Sequence, residues 1–337
     1  MQHAQFYTAL PDGVVSCWLC RHRCRIMPGG RGVCRVRENR GGKLYSLVYG
    51  MLVAEHVDPI EKKPLFHYLP GTTSYSIASI GCNFHCLHCQ NATIAQVAPS
   101  VAGEVPGRSV APAQVVASAV AAGCASIAYT YTEPTVWGEY VLDVARLARQ
   151  AGLKNILVTN GYITPEALDI LAPYLDAANI DLKGFSDDFY QRVVGARRNE
   201  VLACIKDYYQ RGIWIELTTL VIPGENDAPE QLEGIAVFIA GQLSPHIPWH
   251  ISRFFPHYRM SQVPVTPLDS LVRAEQYGRQ AGLRHLYVGN CREGNETTRC
   301  PVCGADTIVR QGFEVVHNRL VDGSCQHCGT TIAGIWR

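Results

Sequence analysis

From residue 74 onward, short β-rich runs alternate with longer helical patterns, the signature of successive βα units feeding a parallel sheet. The runs expected as strands are SYSIASI (74–80), ASIAYT (125–130), KNILVT (154–159), AANIDL (177–182), IWIELTTLVI (213–222), WHISRFF (249–255) and RHLYVG (284–289). Helical patterns lie between them, among them 112–123, 139–152 and 270–282, each closing on a glycine where a helix C-cap belongs. At 337 residues the chain has room for a barrel of about 200 to 250 residues plus small appendages. The expected fold is α/β: a partial (β/α) barrel over 51–294, flanked by small metal-binding Cys-rich segments at 1–50 and 295–337. Polar motifs that directly follow the strands then converge on one face, where barrel active sites sit.

Fourteen cysteines are many for such a chain. Most fall into three neighbourhoods: Cys17, Cys20, Cys24 and Cys34; Cys82, Cys86 and Cys89; and Cys300, Cys303, Cys325 and Cys328, with Cys291 nearby. In a reducing compartment such close spacing speaks for metal ligation rather than disulfides. Cys124 and Cys204 lie in apolar segments and read as inert buried thiols. A net charge of +1 offers no overall field for nucleic acid or an anionic membrane. The opening MQHAQFYTAL lacks the features of a signal peptide, and no run approaches the roughly 18 apolar residues of a membrane span, so a cytoplasmic protein is expected. The stretch 98–109, with Pro, Gly and Ser, is expected as an exposed loop. No GxxxxGK[ST] phosphate loop, nucleophile elbow or Ser-His-Asp constellation occurs.

The strand at 74–80 runs into GCNFHCLHCQN, so the thiols of Cys82, Cys86 and Cys89 sit just past the first strand of the barrel. Four thiolates complete a [4Fe–4S] cluster, whereas three leave one iron able to accept an outside ligand. The alternative is a structural zinc ion with His85 or His88 as fourth ligand. Zinc, however, has no need of the motifs that follow the later strands: YTYTEP, with Thr132 and Glu133; TNG, with Thr159 and Asn160; and DLK, with Asp181 and Lys183.

The loop and these ordered motifs resemble the radical S-adenosylmethionine (SAM) superfamily. They are most similar to the glycyl-radical-enzyme activases, such as pyruvate formate-lyase activating enzyme, in sharing the Cys loop followed by Asn91, then TNG, DLK and a PG turn at 223–227. The resemblance implies two cofactors, a [4Fe–4S] cluster and SAM, and reductive cleavage of SAM to a 5′-deoxyadenosyl radical that takes hydrogen from a substrate, a protein in the activase version. It also implies a reductant such as flavodoxin or ferredoxin. By the same resemblance His88 lies near adenine, Thr132 and Glu133 bind the SAM amino group, Asp181 and Lys183 hold its ribose and carboxylate, and Asn91, Thr159 and Asn160 are further cofactor-binding residues. Val158 stands where the activases carry an Asp that helps bind a monovalent cation, which argues against a cation site of that type. Over its whole length, from CWLCRHRCRIMPGGRGVCRVREN to CPVCG and GSCQHCG, the sequence resembles the radical SAM protein of the AmmeMemoRadiSam system, implying Memo-type and AMMECR-type partners.

At the C-terminal end, Cys300, Cys303, Cys325 and Cys328 have zinc-ribbon spacing, with zinc the expected structural metal and iron the alternative. The ribbon could present a partner's segment to the barrel mouth. At the other end, Cys17, Cys20, Cys24 and Cys34 form a four-ligand set for zinc or a second Fe–S cluster, with His22 a spare ligand expected to be exposed. Cys291 reads as a bystander on the active face or a radical donor, and His250 and His257 as residues that could approach adenine or substrate. The competing function is a non-catalytic zinc scaffold for a protein or nucleic-acid partner, which would interleave basic patches with aromatics. The one basic cluster, RHRCR with RGVCRVR, reads as a solvated face around the first metal segment.

Overall fold

Eight strands lie side by side in chain order: β1 (Ala54–Pro59), β2 (Thr73–Ala78), β3 (Ser126–Tyr129), β4 (Lys154–Thr159), β5 (Ala177–Asp181), β6 (Trp214–Val221), β7 (Trp249–Arg253) and β8 (Leu286–Gly289). They belong to a computed structural model that describes residues 1–100, 104–292 and 294–337. β2 to β8 are parallel, and β1 runs antiparallel to β2. Among the described residues β8 does not pair with β1, so the barrel is partial. All seven expected strands form, most ending a residue or two early because the following residues turn out of the sheet to build the site. β1 was not foreseen; AEHVDP is short, charged and closed by Pro59, the composition that suits an edge.

The helices α1 (Pro112–Ala121), α2 (Gly138–Gln150), α3 (Pro165–Leu171), α4 (Arg198–Gln210), α5 (Pro229–Phe238) and α6 (Leu268–Gln280) cover the sheet. Gly152 and Gly282, just past α2 and α6, have φ of +77° and +92°, the left-handed conformation that closes a helix at little cost only in glycine. The main core lies between these helices and the strands. A second, smaller core fills the barrel's interior, where Ala128, Ile156 and Ala177 meet Ile60, Leu65, Tyr68 and Leu69.

That 60–69 segment closes the end of the barrel opposite the strands' C-termini. Glu216, fully buried on β6, accepts the backbone N–H of Phe66 (2.9 Å) and of His67 (2.7 Å), and pairs with His250 Nε2 at 2.7 Å. The C-terminal segment docks on the same closure. Ile335 donates to the His67 carbonyl, Leu69 donates to the Ile335 carbonyl, each at 2.7 Å, and buried Arg310 donates to the Phe66 carbonyl at 2.6 Å. This C-terminal segment therefore sits away from the barrel mouth, and the expectation that it presents a partner's segment there is corrected.

The N-terminal segment joins the main core through Phe6, Val15, Leu19 and Val36. Two of its arginines depart from a solvated face: buried Arg21 pairs with Glu200 and Asp207, and buried Arg37 with Glu139, which clamp the segment onto the barrel, while Arg23, Arg25 and Arg35 are exposed. Within 98–109, Arg108–Ser109 form a short strand with Met51–Leu52 instead of open loop, while 101–103 lie outside the described residues.

Candidate active site

A cavity of about 340 Å³ opens at the C-terminal ends of the strands. Cys82, Cys86 and Cys89 line it, together with His88, Asn91, Thr132, Glu133, Thr159, Asn160, Asp181 and Lys183, so every residue expected in the SAM and cluster site reaches one pocket. The thiol loop is pinned from several sides. His85 and Leu87 donate backbone N–H to the carbonyls of Val194 and Val193, both at 2.9 Å. At Gly81 φ is +98° and an added Cβ would lie 2.6 Å from Val36 Cγ1, so the turn into the loop requires glycine. The Phe84 backbone N–H points at Cys82 Sγ at 3.3 Å.

Glu133 joins two of the motifs. Its carboxylate accepts from Thr135 N (3.0 Å) and Thr135 Oγ1 (2.5 Å) in its own turn, and from Thr159 Oγ1 and Asn160 N beyond β4, both at 2.8 Å. Burial raises its pKa against those hydrogen bonds. Thr132 Oγ1 donates to the Ser79 carbonyl at 2.7 Å, and Asn91 Nδ2 to the Tyr131 carbonyl at 2.8 Å, which hold the turn after β3 against the Cys loop. Asp181 and Lys183, expected to serve different groups, pair with each other at 2.9 Å. Burial disfavours the Lys183 ammonium, but the Asp181 carboxylate outweighs it and holds the lysine charged. Asn160 donates to Asn83 Oδ1 at 2.8 Å, leaving its own Oδ1 buried without a partner, as is His88 Nδ1.

The radical SAM superfamily model matches residues 76–236, a span that holds the Cys loop and all three later motifs. An uncharacterized protein of Methanocaldococcus jannaschii is 43% identical over 336 residues, covering 98% of this chain and 99% of that one. This chain belongs to the radical SAM superfamily. The Escherichia coli K12 pyruvate formate-lyase 1-activating enzyme is 25% identical over 108 residues, 32% of this radical SAM protein and 44% of that enzyme. The fold is shared with a radical SAM methyltransferase from Sphaerobacter thermophilus (TM-score 0.51, 20% identity, 66% of this chain and 67% of that one). It is also shared with Streptococcus suis SuiB bound to SAM (TM-score 0.50, 16% identity, 69% and 53%).

Membership implies a [4Fe–4S] cluster and SAM, and the residues fit both. Burial pushes all three thiols of this radical SAM protein up, Cys86 to about 11, so they ionise only when a metal centre supplies the opposing charge. The orphaned Asn160 Oδ1 and His88 Nδ1 in the cavity wall offer hydrogen bonds to a polar ligand beside it. The sequence did not single out Lys62, Lys63 and Tyr131, which line the same cavity. Lys63 Nζ is 2.6 Å from Asp58 Oδ2, Tyr131 OH also donates to Asp58, and burial lowers Lys63 to about 8. IEKKP looks like a solvated charge run, and only the fold turns it inward.

Several expectations are corrected. His250 is buried with Glu216 inside the barrel, and exposed His257 does not line the cavity. Half-buried Cys291 does not line the cavity, in keeping with its reading as a bystander rather than a radical donor. His22 is not an exposed histidine: it is half-buried, with Nε2 2.8 Å from the Asn83 carbonyl, because the N-terminal segment packs on the Cys loop. Cys124 and Cys204 are buried, as read from their apolar surroundings. Among the described residues, Cys300, Cys303, Cys325 and Cys328 form the one set of three or more metal-ligating groups whose ligand atoms all lie within 4.8 Å of one another, with Sγ pairs at 3.5 and 3.7 Å. These four could hold a metal ion.

Proposed function

We propose that this chain is a radical SAM enzyme in which Cys82, Cys86 and Cys89 bind a [4Fe–4S] cluster and His88, Asn91, Thr132, Glu133, Thr159, Asn160, Asp181 and Lys183 form the SAM pocket. One observation carries the proposal: three thiols and all these polar groups line a single cavity at the strands' C-terminal ends. When bound, the reduced cluster supplies one electron that splits the sulfonium of SAM, yielding the 5′-deoxyadenosyl radical that takes hydrogen from substrate. The chain's own task is to bind, orient and shield. Glu133 Oε2 receives only Asn160 N, so it retains capacity for an ammonium donor. Lys183, held charged by Asp181, suits a carboxylate. The packed interior below, from Glu216–His250 to Leu65, closes the cavity floor against water.

The finer reading rests on resemblance. The 108-residue match to the activating enzyme supports a protein substrate, and the Cys motifs at both ends support a place in the AmmeMemoRadiSam system with Memo-type and AMMECR-type partners. A cytoplasmic flavodoxin or ferredoxin would serve as reductant. The division into segments 1–50, 51–294 and 295–337 belongs to the same proposal, with zinc in the last. The edge of a ZnS4 tetrahedron with bonds of about 2.3 Å is about 3.8 Å, close to the two C-terminal sulfur separations. The test is anaerobic reconstitution with iron, sulfide, reductant and SAM, followed by assay of 5′-deoxyadenosine. Wild type should form it and the Cys82→Ala, Cys86→Ala, Cys89→Ala variant should not. A wild type that retains zinc but assembles no cluster would sink the proposal.

A further inference from the structure

We infer that Cys17, Cys20, Cys24 and Cys34 hold a second iron–sulfur cluster, packed against the Cys loop of the first and placed to pass electrons into it. The inference rests on the function proposed above for its electron-relay part, but not for the cluster itself. The C-terminal thiols are drawn to within 4.8 Å of one another, as a single ion requires, whereas no three of the N-terminal thiols close to that distance. They stand around a small internal cavity lined also by Gly32 and Arg37. A single tetrahedral ion needs sulfurs about 3.8 Å apart, whereas a polynuclear cluster places its irons and sulfides between the thiolates and needs a wider set.

Arg37 is the second, independent observation. It is 2% exposed, and its terminal nitrogens are both taken by Glu139, at 2.7 and 2.8 Å. The side chain lines the cavity, and its buried Nε has no hydrogen-bond partner. A buried N–H is costly without an acceptor, and the sulfurs of an anionic cluster supply one.

Placement gives the cluster its use. The carbonyl of Cys34 lies 3.4 Å from where a Cβ of Gly81 would be, and Gly81 is bonded to Cys82. His22, between Cys20 and Cys24, contacts the Asn83 carbonyl at 2.8 Å, and its ring lies 4.9 Å from that of Tyr162, which packs on Phe84. One electron leaves the outer cluster, which is oxidised, and reduces the inner one. A low-potential one-electron carrier of the flavodoxin or ferredoxin class then restores the outer cluster.

The full-length Cys82→Ala, Cys86→Ala, Cys89→Ala variant isolates the outer site. After anaerobic reconstitution with iron, sulfide and zinc it should carry ~4 iron per chain and give a half-integer-spin EPR signal on dithionite reduction. Adding Cys17→Ser and Cys34→Ser should abolish both while ~1 zinc per chain remains, showing that the C-terminal site and the fold persist. Because serine can still ligate iron, Cys24→Ser alone should shift the EPR spectrum. Zinc at ~2 per chain with no iron in the triple variant would overturn the inference, and wild-type 5′-deoxyadenosine formation would show that the proposed function survives it. An outer cluster in a protein unable to cleave SAM would support the site while sinking that function. With the inner cysteines intact, Cys17→Ser with Cys34→Ser should lose inner-cluster reduction by reduced flavodoxin but keep it with dithionite; undiminished flavodoxin reduction would overturn the relay.

Discussion

Glu133 is 2% exposed and accepts from Thr135, Thr159 and Asn160, so its carboxylate is fixed in place by donors from two separate strand ends. Glu133→Gln keeps the shape but turns one acceptor oxygen into a donor that faces existing donors. Leaving such buried groups unsatisfied costs about 1–3 kcal/mol, and the negative charge offered to an ammonium group is lost as well. The variant should melt earlier and lose most 5′-deoxyadenosine formation while retaining its iron, as thermal denaturation, product assay and iron analysis would reveal. The TEP motif was plain in the sequence, but its bond to TNG was not. The two are 26 residues apart, and only the adjacency of β3 and β4 brings them together.

At the scale of elements, the link between β2 and the thiol loop depends on one glycine. Gly81→Ala meets both a left-handed φ and Val36 Cγ1 at 2.6 Å. Strain of about 1–3 kcal/mol is expected, and since it falls one residue from Cys82 it should lower iron per chain. Gly152→Ala is the control. It has a similar φ of +77° with nothing within 4 Å, so it should cost about 1 kcal/mol and leave iron content unchanged. Equal iron loss in both variants would contradict this account. The βα alternation foretold the strands well because period and turn residues are local properties. It missed β1, whose edge position depends on its neighbour rather than on its own pattern.

Across the whole molecule, the C-terminal segment is tied to the barrel's closure through Arg310, His67 and Ile335. If Cys300, Cys303, Cys325 and Cys328 hold a metal ion, as proposed, removing it by chelation or by Cys300→Ser with Cys303→Ser should therefore lower the melting temperature of the entire protein rather than of a separate unit, as calorimetry would show in a single shifted transition. The same junction carries a pH dependence. Burial lowers His285 to about 4, and burial followed by the charge of His285 lowers His67 further; both are neutral in the folded protein, whereas in the unfolded chain they bind protons below about 6.5. Their contribution is thus complete above pH 6.5 and is lost as pH falls toward 4, at up to about 1.4 kcal/mol per pH unit for each histidine. Urea midpoints should fall between pH 7 and pH 5, and His285→Gln should flatten the slope. By itself the sequence determined the βα order, the radical SAM motifs and the three cysteine groups, because strand period, loop spacing and ligand type are written in neighbouring residues. Tertiary structure alone decided that His250 belongs to the interior, that Lys62 and Lys63 face the cavity, that the C-terminal segment docks at the far end, and that the first cysteine group abuts the loop of Cys82, Cys86 and Cys89. Those facts depend on contacts between residues far apart in the chain, where burial and pairing, not local pattern, set the outcome.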